Sequence, residues 1–316
     1  PESFTGFGEL LACFEGKVAE VVAVGCEIIR EDERLEPTVY PRPWLTVLSR
    51  GGIEDARDVT AGQPKYDPVG VTMDGLADTA NSLYAVNRLV FEEERLSISE
   101  LREVLAADWS GHEALRREVI HEFPRFGNDE EAVDALASRI AAHYADCFCE
   151  ERTYYGGRFL PMIFGVTTGL LSGHGPRTGA TASGRHKGTV IAQSLQPSAT
   201  GPQGSPTEVL RSAASVDFGR FPGGISNVQS FDPSLFGGDA GDALVCALIR
   251  GYFALGGMEL AMNFVSAEEL REAQRRPEEY PYLMVRLFGM SARFILLSEE
   301  LQKTVIAKIE AASARR

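Results

Sequence analysis

Histidines at 112, 121, 143, 174 and 186 and cysteines at 13, 26, 147, 149 and 246 are the side chains that could ligate a metal or act as nucleophiles. Their spacing supports neither role. His143, Cys147 and Cys149 fall within two turns of one helix, but C-x-C with a single histidine lacks the paired spacing of a structural zinc site, and ordinary helix thiols are the plainer reading. His174 or His186 could serve a serine nucleophile, yet no G-x-S-x-G elbow accompanies them, and His186 with Lys187 reads as a solvated loop. No G-x-x-x-x-G-K-S/T occurs. The glycines of TGATASGR lack the strand-then-helix setting of a phosphate loop, so SGR reads as a turn with an exposed arginine. The acidic run EEAVD (130–134) suits the start of a helix, where carboxylates meet the positive end of the macrodipole. There remains YLMVRLFGMSARFILL (282–297), two apolar runs flanking Gly289. It reads as two buried strands meeting at a short turn, and by spacing alone it is an ordinary hairpin.

The elements that must position these residues are legible in outline. Residues 2–35 are helical, with Phe7, Leu10, Leu11, Phe14, Val18, Val21 and Val22 at helical spacing. Residues 37–75 are rich in proline and glycine and read as loops around one short strand, WLTVL. Asp78 to Glu94 is amphipathic, Ser97 with Glu100 forms a capping box, and Asn128 or Asp129 caps a long helix to about Glu151. Residues 156–236 alternate short strands with long loops such as SGHGPRTGATASGRHKG, and loops of that length are usually functional. A helix over about 241–255, a strand at 258–264, a helix capped by Ser266, the hairpin, and a helix begun by Ser298 complete the chain. No repeat or linker divides it. Residues 1–316 read as a single unit, with 1–75 an N-terminal helix and loops, 76–255 the body, and 256–316 the part that carries the hairpin.

Composition narrows the class. The 316 residues are 44% hydrophobic, which can fill a sizeable core, and the net charge of −14 argues against nucleic acid and against anionic membranes. The longest apolar run, FLPMIFGVTTGLL (159–171), is broken by Pro161 and Gly165 and is too short to span a bilayer. No basic stretch followed by an apolar one marks a signal peptide, and five irregularly spaced cysteines suit reduced thiols. The expectation is a cytoplasmic α/β protein.

Several segments, in order along the chain, resemble the C-terminal part of the glycyl radical enzymes, the pyruvate formate-lyase-like family. DTANSLYAVNRLVFEEERLSISELREVL, FPRFGNDEEAVD, YYGGRFLP and TGATASGRHKG resemble family segments, and LIRGYFALGGMELAMNFVSAEELREAQRRPEEYPYLMVRLFGMSARF resembles its final block almost throughout. The resemblance runs from about Trp44 and is dense from Asp78 onward. The family carries RVxGYSxxF or RVxGYAxxF in the last block. Its glycine falls on Gly289, flanked by Arg286, Met290, Ser291 and Phe294.

The resemblance implies half of a ten-stranded α/β barrel of the glycyl radical enzyme type, with a C-terminal glycine-radical loop. It implies no bound cofactor. A separate radical S-adenosylmethionine activating enzyme would remove a Cα hydrogen from Gly289, and the radical would pass to a cysteine that attacks a small organic substrate by C–C, C–O or C–N cleavage or elimination. Glycine suits the first step, because a Cα without Cβ can become planar and spread the unpaired electron over the adjacent amide nitrogen and carbonyl. The apolar flanks are expected to keep solvent and oxygen away.

The chain also departs from the family. Met290 stands where the family has tyrosine, Leu287 where valine is usual, Ser183 in place of the aspartate of PDGR, and Lys308 in place of a late arginine. Members run to more than twice this length, and their thiyl cysteine lies upstream of every matched segment. VGCEI (24–28) looks superficially like that motif, but Cys26 sits in a helical pattern. The expectation is a companion subunit that brings the catalytic cysteine and the other half-barrel. The alternatives are a C-terminal piece of an ordinary full-length lyase and an inactive scaffold or regulatory homologue.

Overall fold

The computed structural model describes residues 4–165, 174–287 and 290–313. Its first element, α1 (Phe7–Val39), is apolar on two faces. One packs Val18, Val22, Cys26 and Ile29 against Phe148 and Phe159. The other leaves Val21, Val24, Ile28, Leu35 and Val39 exposed. The segment WLTVL, expected as a strand, is instead the short helix α2 (Pro43–Leu48). Pro43 occupies its first turn, where a fixed φ favours helix and the missing N–H costs nothing. The Thr46 hydroxyl then bonds the Arg42 carbonyl and the Asp58 carboxylate, each at 2.9 Å. Helix α1 likewise runs through Pro37, past the expected boundary.

The strand β1 (Val69–Met73) leads into α3 (Leu76–Val86), which continues as a π-helical turn over Asn87–Glu92. Next comes α4 (Ile98–Ala106), whose expected capping box is present: the Glu100 N–H donates to the Ser97 hydroxyl at 3.1 Å and the Ser97 N–H to the Glu100 carboxylate at 2.7 Å. Helices α5 (Glu113–His121) and α6 (Glu131–Asp146) follow. Neither Asn128 nor Asp129 caps α6. Glu130 holds that position without a side-chain bond, because the Asp129 carboxylate is taken by Arg211 at 3.0 Å. Helix α6 also ends before Glu151.

Strand β2 (Phe159–Ile163) lies between β1 and β3 (Gly224–Ile225) in one parallel sheet, with Val69 opposite Phe159 and Ile163 opposite Ile225. Helix α7 (Pro206–Ala214) precedes β3. Strand β4 (Val228–Ser230) pairs in parallel with β5 (Ala261–Asn263), joined through α8 (Gly238–Ala254). Parallel neighbours joined through helices are the crossover pattern of α/β folds. Then come α9 (Ala267–Arg275), capped by the Ser266 hydroxyl as expected, the hairpin β6 (Met284–Leu287) and β7 (Met290–Arg293), and α10 (Glu299–Ser313). The Ser298 hydroxyl accepts the Leu301 N–H at 3.3 Å at the start of α10. Among the described residues the three sheets stay separate and close no barrel. No described helix is long and apolar enough to cross a membrane.

The main core joins α3, α6, α7 and α8 over β2 and β3, with Leu76, Val133, Ile163 and Phe221 fully enclosed. A second cluster centres on Trp109 between α4 and α5. The hairpin has a core of its own: Val285 and Phe294 pack with Leu270, Val305 and Ile309 from α9 and α10.

Within the FGNDEEAVD segment, Gly127 takes φ +96°, and a Cβ there would sit 2.5 Å from the Pro197 ring. Asp134 is buried under α7 and accepts the Ser212 hydroxyl at 2.9 Å. Burial, with Asp129 and Glu130 nearby, pushes its carboxyl up to about 6 despite that bond. Between pH about 4 and about 6 the unfolded chain therefore ionises Asp134 while the folded chain holds the proton. Stability from this group is full below that window and is lost as pH rises through it. Asp134→Asn should remove the loss, so the variant's thermal midpoint relative to wild type should climb from pH 4 to 6 and then level off. A constant difference across that range would contradict this account.

Candidate functional site

The hairpin pairs Met284 with Arg293, Val285 with Ala292, Arg286 with Ser291 and Leu287 with Met290. Two strands meeting at a short interval are thus observed. Gly289, with Phe288, lies outside the described residues. The expectation that both strands are buried needs correction. Val285 and Phe294 point into the small core, with Phe294 at 0% exposure, but Met284, Ser291 and Arg293 are exposed. The period of two in a strand sends alternate side chains to opposite faces, and only one face meets α9 and α10. On the open face the Arg286 guanidinium donates to the Ser291 hydroxyl at 3.3 Å, one residue pair away from Leu287–Met290.

The hairpin is tied to the body through Asn263, the last residue of β5. Its Oδ1 accepts the Arg286 N–H at 2.8 Å and its Nδ2 donates to the Arg286 carbonyl at 2.9 Å. The same Nδ2 lies 3.4 Å from the Ser230 hydroxyl on β4. Ser230 in turn lines a cavity of about 280 Å³ with Gln203, Gln229 and Asp232. On the far side of Phe294, the Gln302 amide donates to the carbonyls of Phe294 and Leu297 at 3.1 and 3.2 Å.

The glycine-rich loop at 178–189 is organised by three arginines. Arg185, expected to be exposed, is 0% exposed and donates to the carbonyls of Thr178, Gly179 and Thr189. Arg116 donates to the Gly184 carbonyl at 2.7 Å and Arg125 to that of Ser183 at 3.2 Å. Irregular buried backbone needs partners for its carbonyls, and a guanidinium can meet several at once. Burial holds Arg125 down at about 10 and also lowers Arg185. Gly184, at φ +88°, lets the loop lie on Ile120, whose Cγ1 a Cβ would approach to 2.6 Å. His186 is partly exposed beside Asp108 at 3.2 Å, and Lys187 is exposed, as the solvated reading expects.

Asp78, in the first turn of α3, fastens the next loop: its carboxylate accepts the Ala192 N–H at 2.7 Å and the Ser198 hydroxyl at 2.5 Å. A cavity of about 390 Å³ opens between α3 and these loops, with Asp78, Ser82, Thr181 and Arg185 in its wall.

Cys26 is enclosed in α1 at 1% exposure, and burial raises its thiol. It packs in the cluster under α1, apart from the hairpin core, so the resemblance of VGCEI to a cysteine loop is superficial. His143 Nε2 lies 2.8 Å from the Glu15 carbonyl and 3.7 Å from Cys147 Sγ. Among the described residues no group of His, Cys, Asp and Glu is gathered as a metal site.

Comparison with known proteins accords with this geometry. The family described as "Pyruvate formate lyase-like" matches residues 1–173, and "Glycine radical" matches 191–295, a span that includes the hairpin. The first match begins upstream of Trp44, where the resemblance was expected to start. The chain is 30% identical over 319 residues to the "Probable dehydratase YbiW" of Escherichia coli, covering 98% of this chain and 39% of that protein. It is 27% identical to the trans-4-hydroxy-L-proline dehydratase of Clostridioides difficile, with the same coverage. The glycerol-bound B12-independent glycerol dehydratase from Clostridium butyricum superposes with a TM-score of 0.89 at 29% identity, over 97% of this chain and 39% of that one. The chain thus spans about two fifths of the length of these relatives. Its mixed α/β structure corresponds to their C-terminal part, and the chain belongs to the pyruvate formate lyase-like, glycyl radical enzyme family.

Proposed function

We propose that this chain is the radical-bearing part of a two-component glycyl radical lyase, storing the radical on Gly289 and passing it to a thiyl cysteine on a companion polypeptide. The radical assignment is supported by the "Glycine radical" match, which runs through a hairpin where Arg286 faces Ser291 across the two strands next to the glycine. In this reading an activating enzyme removes one Cα hydrogen atom from Gly289, and the hydrogen leaves with the radical derived from S-adenosylmethionine. A reducing, anaerobic cytoplasm suits both the radical and the five free thiols.

The companion is supported by one observation above the others: the hairpin is covered on a single face. A radical stored beside Met284, Ser291 and Arg293 needs those residues shielded from solvent, and this chain leaves them exposed. Two further surfaces agree. The stripe Val21–Val24–Ile28 on α1, and separately Trp44 and Leu48 on α2, each of these two 81% exposed, leave apolar surface open to solvent of the kind that marks a partner. Among the described residues, strand β1 ends the parallel sheet with Gly70 and Thr72 open, whereas parallel sheets are normally covered on both sides. The other half of a ten-stranded barrel would cover all three. Relatives named as dehydratases favour elimination at a C–O bond of a small organic substrate.

A second reading, with both halves on one longer polypeptide, is favoured by relatives that carry the matched region as 39% of a single chain. Intact mass of the native product separates the two. A 34.4 kDa species co-purifying with a cysteine-bearing polypeptide supports the companion. A single longer chain containing this sequence replaces it.

A further inference from the structure

We propose that the cavity between α6 and α7 is a binding site for a primary ammonium group carried on a short apolar tail, with the Asp134 carboxylate as its counter-ion. The cavity shares no residue with the hairpin or its core, so the radical assignment does not bear on it.

Asp134 is a buried carboxylate with part of its bonding left open. It is 7% exposed. One oxygen accepts the Ser212 hydroxyl at 2.9 Å, whereas Oδ1 has no hydrogen-bond partner among the described residues. An enclosed carboxylate oxygen without a partner is costly, and folded proteins seldom keep one without a water, an ion or a ligand to meet it. Asp134 stands in the wall of a cavity of about 650 Å³ that opens between α6 and α7.

The surroundings set the charge of that ligand. Asp129 and Glu131 line the same cavity, and the Arg211 guanidinium in its wall is already paired with Asp129 at 3.0 Å. Helix α7 ends at Ala214 in this wall, and the negative end of its macrodipole favours a cation there. The carboxylates are not gathered as a metal site. A primary ammonium needs only three acceptors for its three N–H groups. Asp134 Oδ1 supplies one. Ser138 lies one turn along the same face of α6, and Ser215 caps α7, both in the cavity wall. The Ser215 hydroxyl gives its proton to the Ser212 carbonyl at 2.7 Å, which leaves its lone pairs to accept.

The tail follows from the adjoining space. An apolar groove of about 500 Å³ between α7 and α8, walled by Leu210, Leu244 and Leu248, meets the first cavity at Arg211 and Leu255. An ammonium at Asp134 can therefore lay a short hydrocarbon chain along these leucines.

The test uses the full chain with n-hexylammonium as the probe. Calorimetric titration near neutral pH should give saturable binding at one site. Hexyltrimethylammonium keeps the tail and the charge but has no N–H, and hexanol lacks the charge. Both should bind at least about tenfold more weakly, the size set by losing hydrogen bonds to a charged group. Asp134→Asn, which keeps the shape and removes the charge, should weaken the probe by as much. Ser138→Lys places a tethered ammonium one turn from Asp134 and should exclude the probe while raising the thermal midpoint. Burial holds the Asp134 carboxyl up at about 6, so a proton competes with the probe, and affinity should fall about tenfold from pH 7 to pH 5. The charged groups around Asp134 in this range are Asp129, Glu130 and Glu131 at the start of α6 and Arg211 on α7, while the end of α8 brings the uncharged Leu255. Equal binding of hexanol or of the trimethylated amine overturns the proposal, as does unchanged affinity in Asp134→Asn. So does a wild-type chain that binds no probe, because water alone then meets Oδ1. If Asp134→Asn fails to fold, Ser138→Lys decides, and undiminished binding of the probe to it overturns the site.

Discussion

If Gly289 stores the radical as proposed, Gly289→Ala should abolish the doublet electron paramagnetic resonance signal expected when the wild-type chain is incubated anaerobically with a radical S-adenosylmethionine activating enzyme and S-adenosylmethionine. The effect should be complete rather than graded. Removing a hydrogen atom from Cα leaves an unpaired electron that is stabilised only if Cα flattens and aligns with the amide on one side and the carbonyl on the other. Glycine can do this with no group to displace. Alanine carries a methyl that crowds the planar centre against both neighbouring peptide groups and blocks the approach of the abstracting radical. The doublet itself is the signature of the one hydrogen that remains on the glycine Cα, so its splitting reports the site and its disappearance reports the substitution. Admitting air should cut the wild-type chain at Gly289 and leave the alanine variant whole, which gel electrophoresis reads directly. A wild-type chain that stays silent with a competent activating enzyme, or an alanine variant that keeps the doublet, ends the assignment.

The largest expected effect on stability lies one strand away, at Phe294. Its ring is fully enclosed by Val285, Leu270, Val305 and Ile309 in a core far smaller than the one under β2 and β3. Deleting an enclosed phenylalanine side chain costs about 3–5 kcal/mol through lost transfer energy and the cavity left behind. A small cluster has few other contacts with which to absorb that loss. Phe294→Ala should therefore detach the hairpin, α9 and α10 before the rest of the chain unfolds, as cooperative units of a protein can open separately. Hydrogen exchange should rise across 265–313 and stay near wild type in α3 and α6, with an early transition in denaturant. By contrast Ser291→Ala removes an exposed hydroxyl and one 3.3 Å bond, and should stay within about 0.5 kcal/mol of wild type. Equal behaviour of the two variants would mean that the hairpin is not held by its own core.

The sequence by itself determined the pieces whose cause is local. Serine three residues before glutamate makes the capping box at Ser97 because both partners lie within one turn, and Ser266 caps α9 for the same reason. Two β-prone runs around a glycine make the hairpin, and the ordered segments from Asp78 to Phe294 carry the family. The tertiary structure decided what depends on distant partners. Pro43 and the bonds from Thr46 to Arg42 and Asp58 make WLTVL a helix where its residue types suggested a strand. Arg185 is enclosed because the carbonyls of its own loop need donors, a demand that no count of charges reveals. Asp78, Arg125 and Asn263 gave no signal as single residues, since each acts on backbone brought close only by folding. The hairpin shows the division most clearly. Its pairing follows from neighbours in the chain, but which face is covered depends on α9, α10 and Asn263, and those meet it only once the chain is folded.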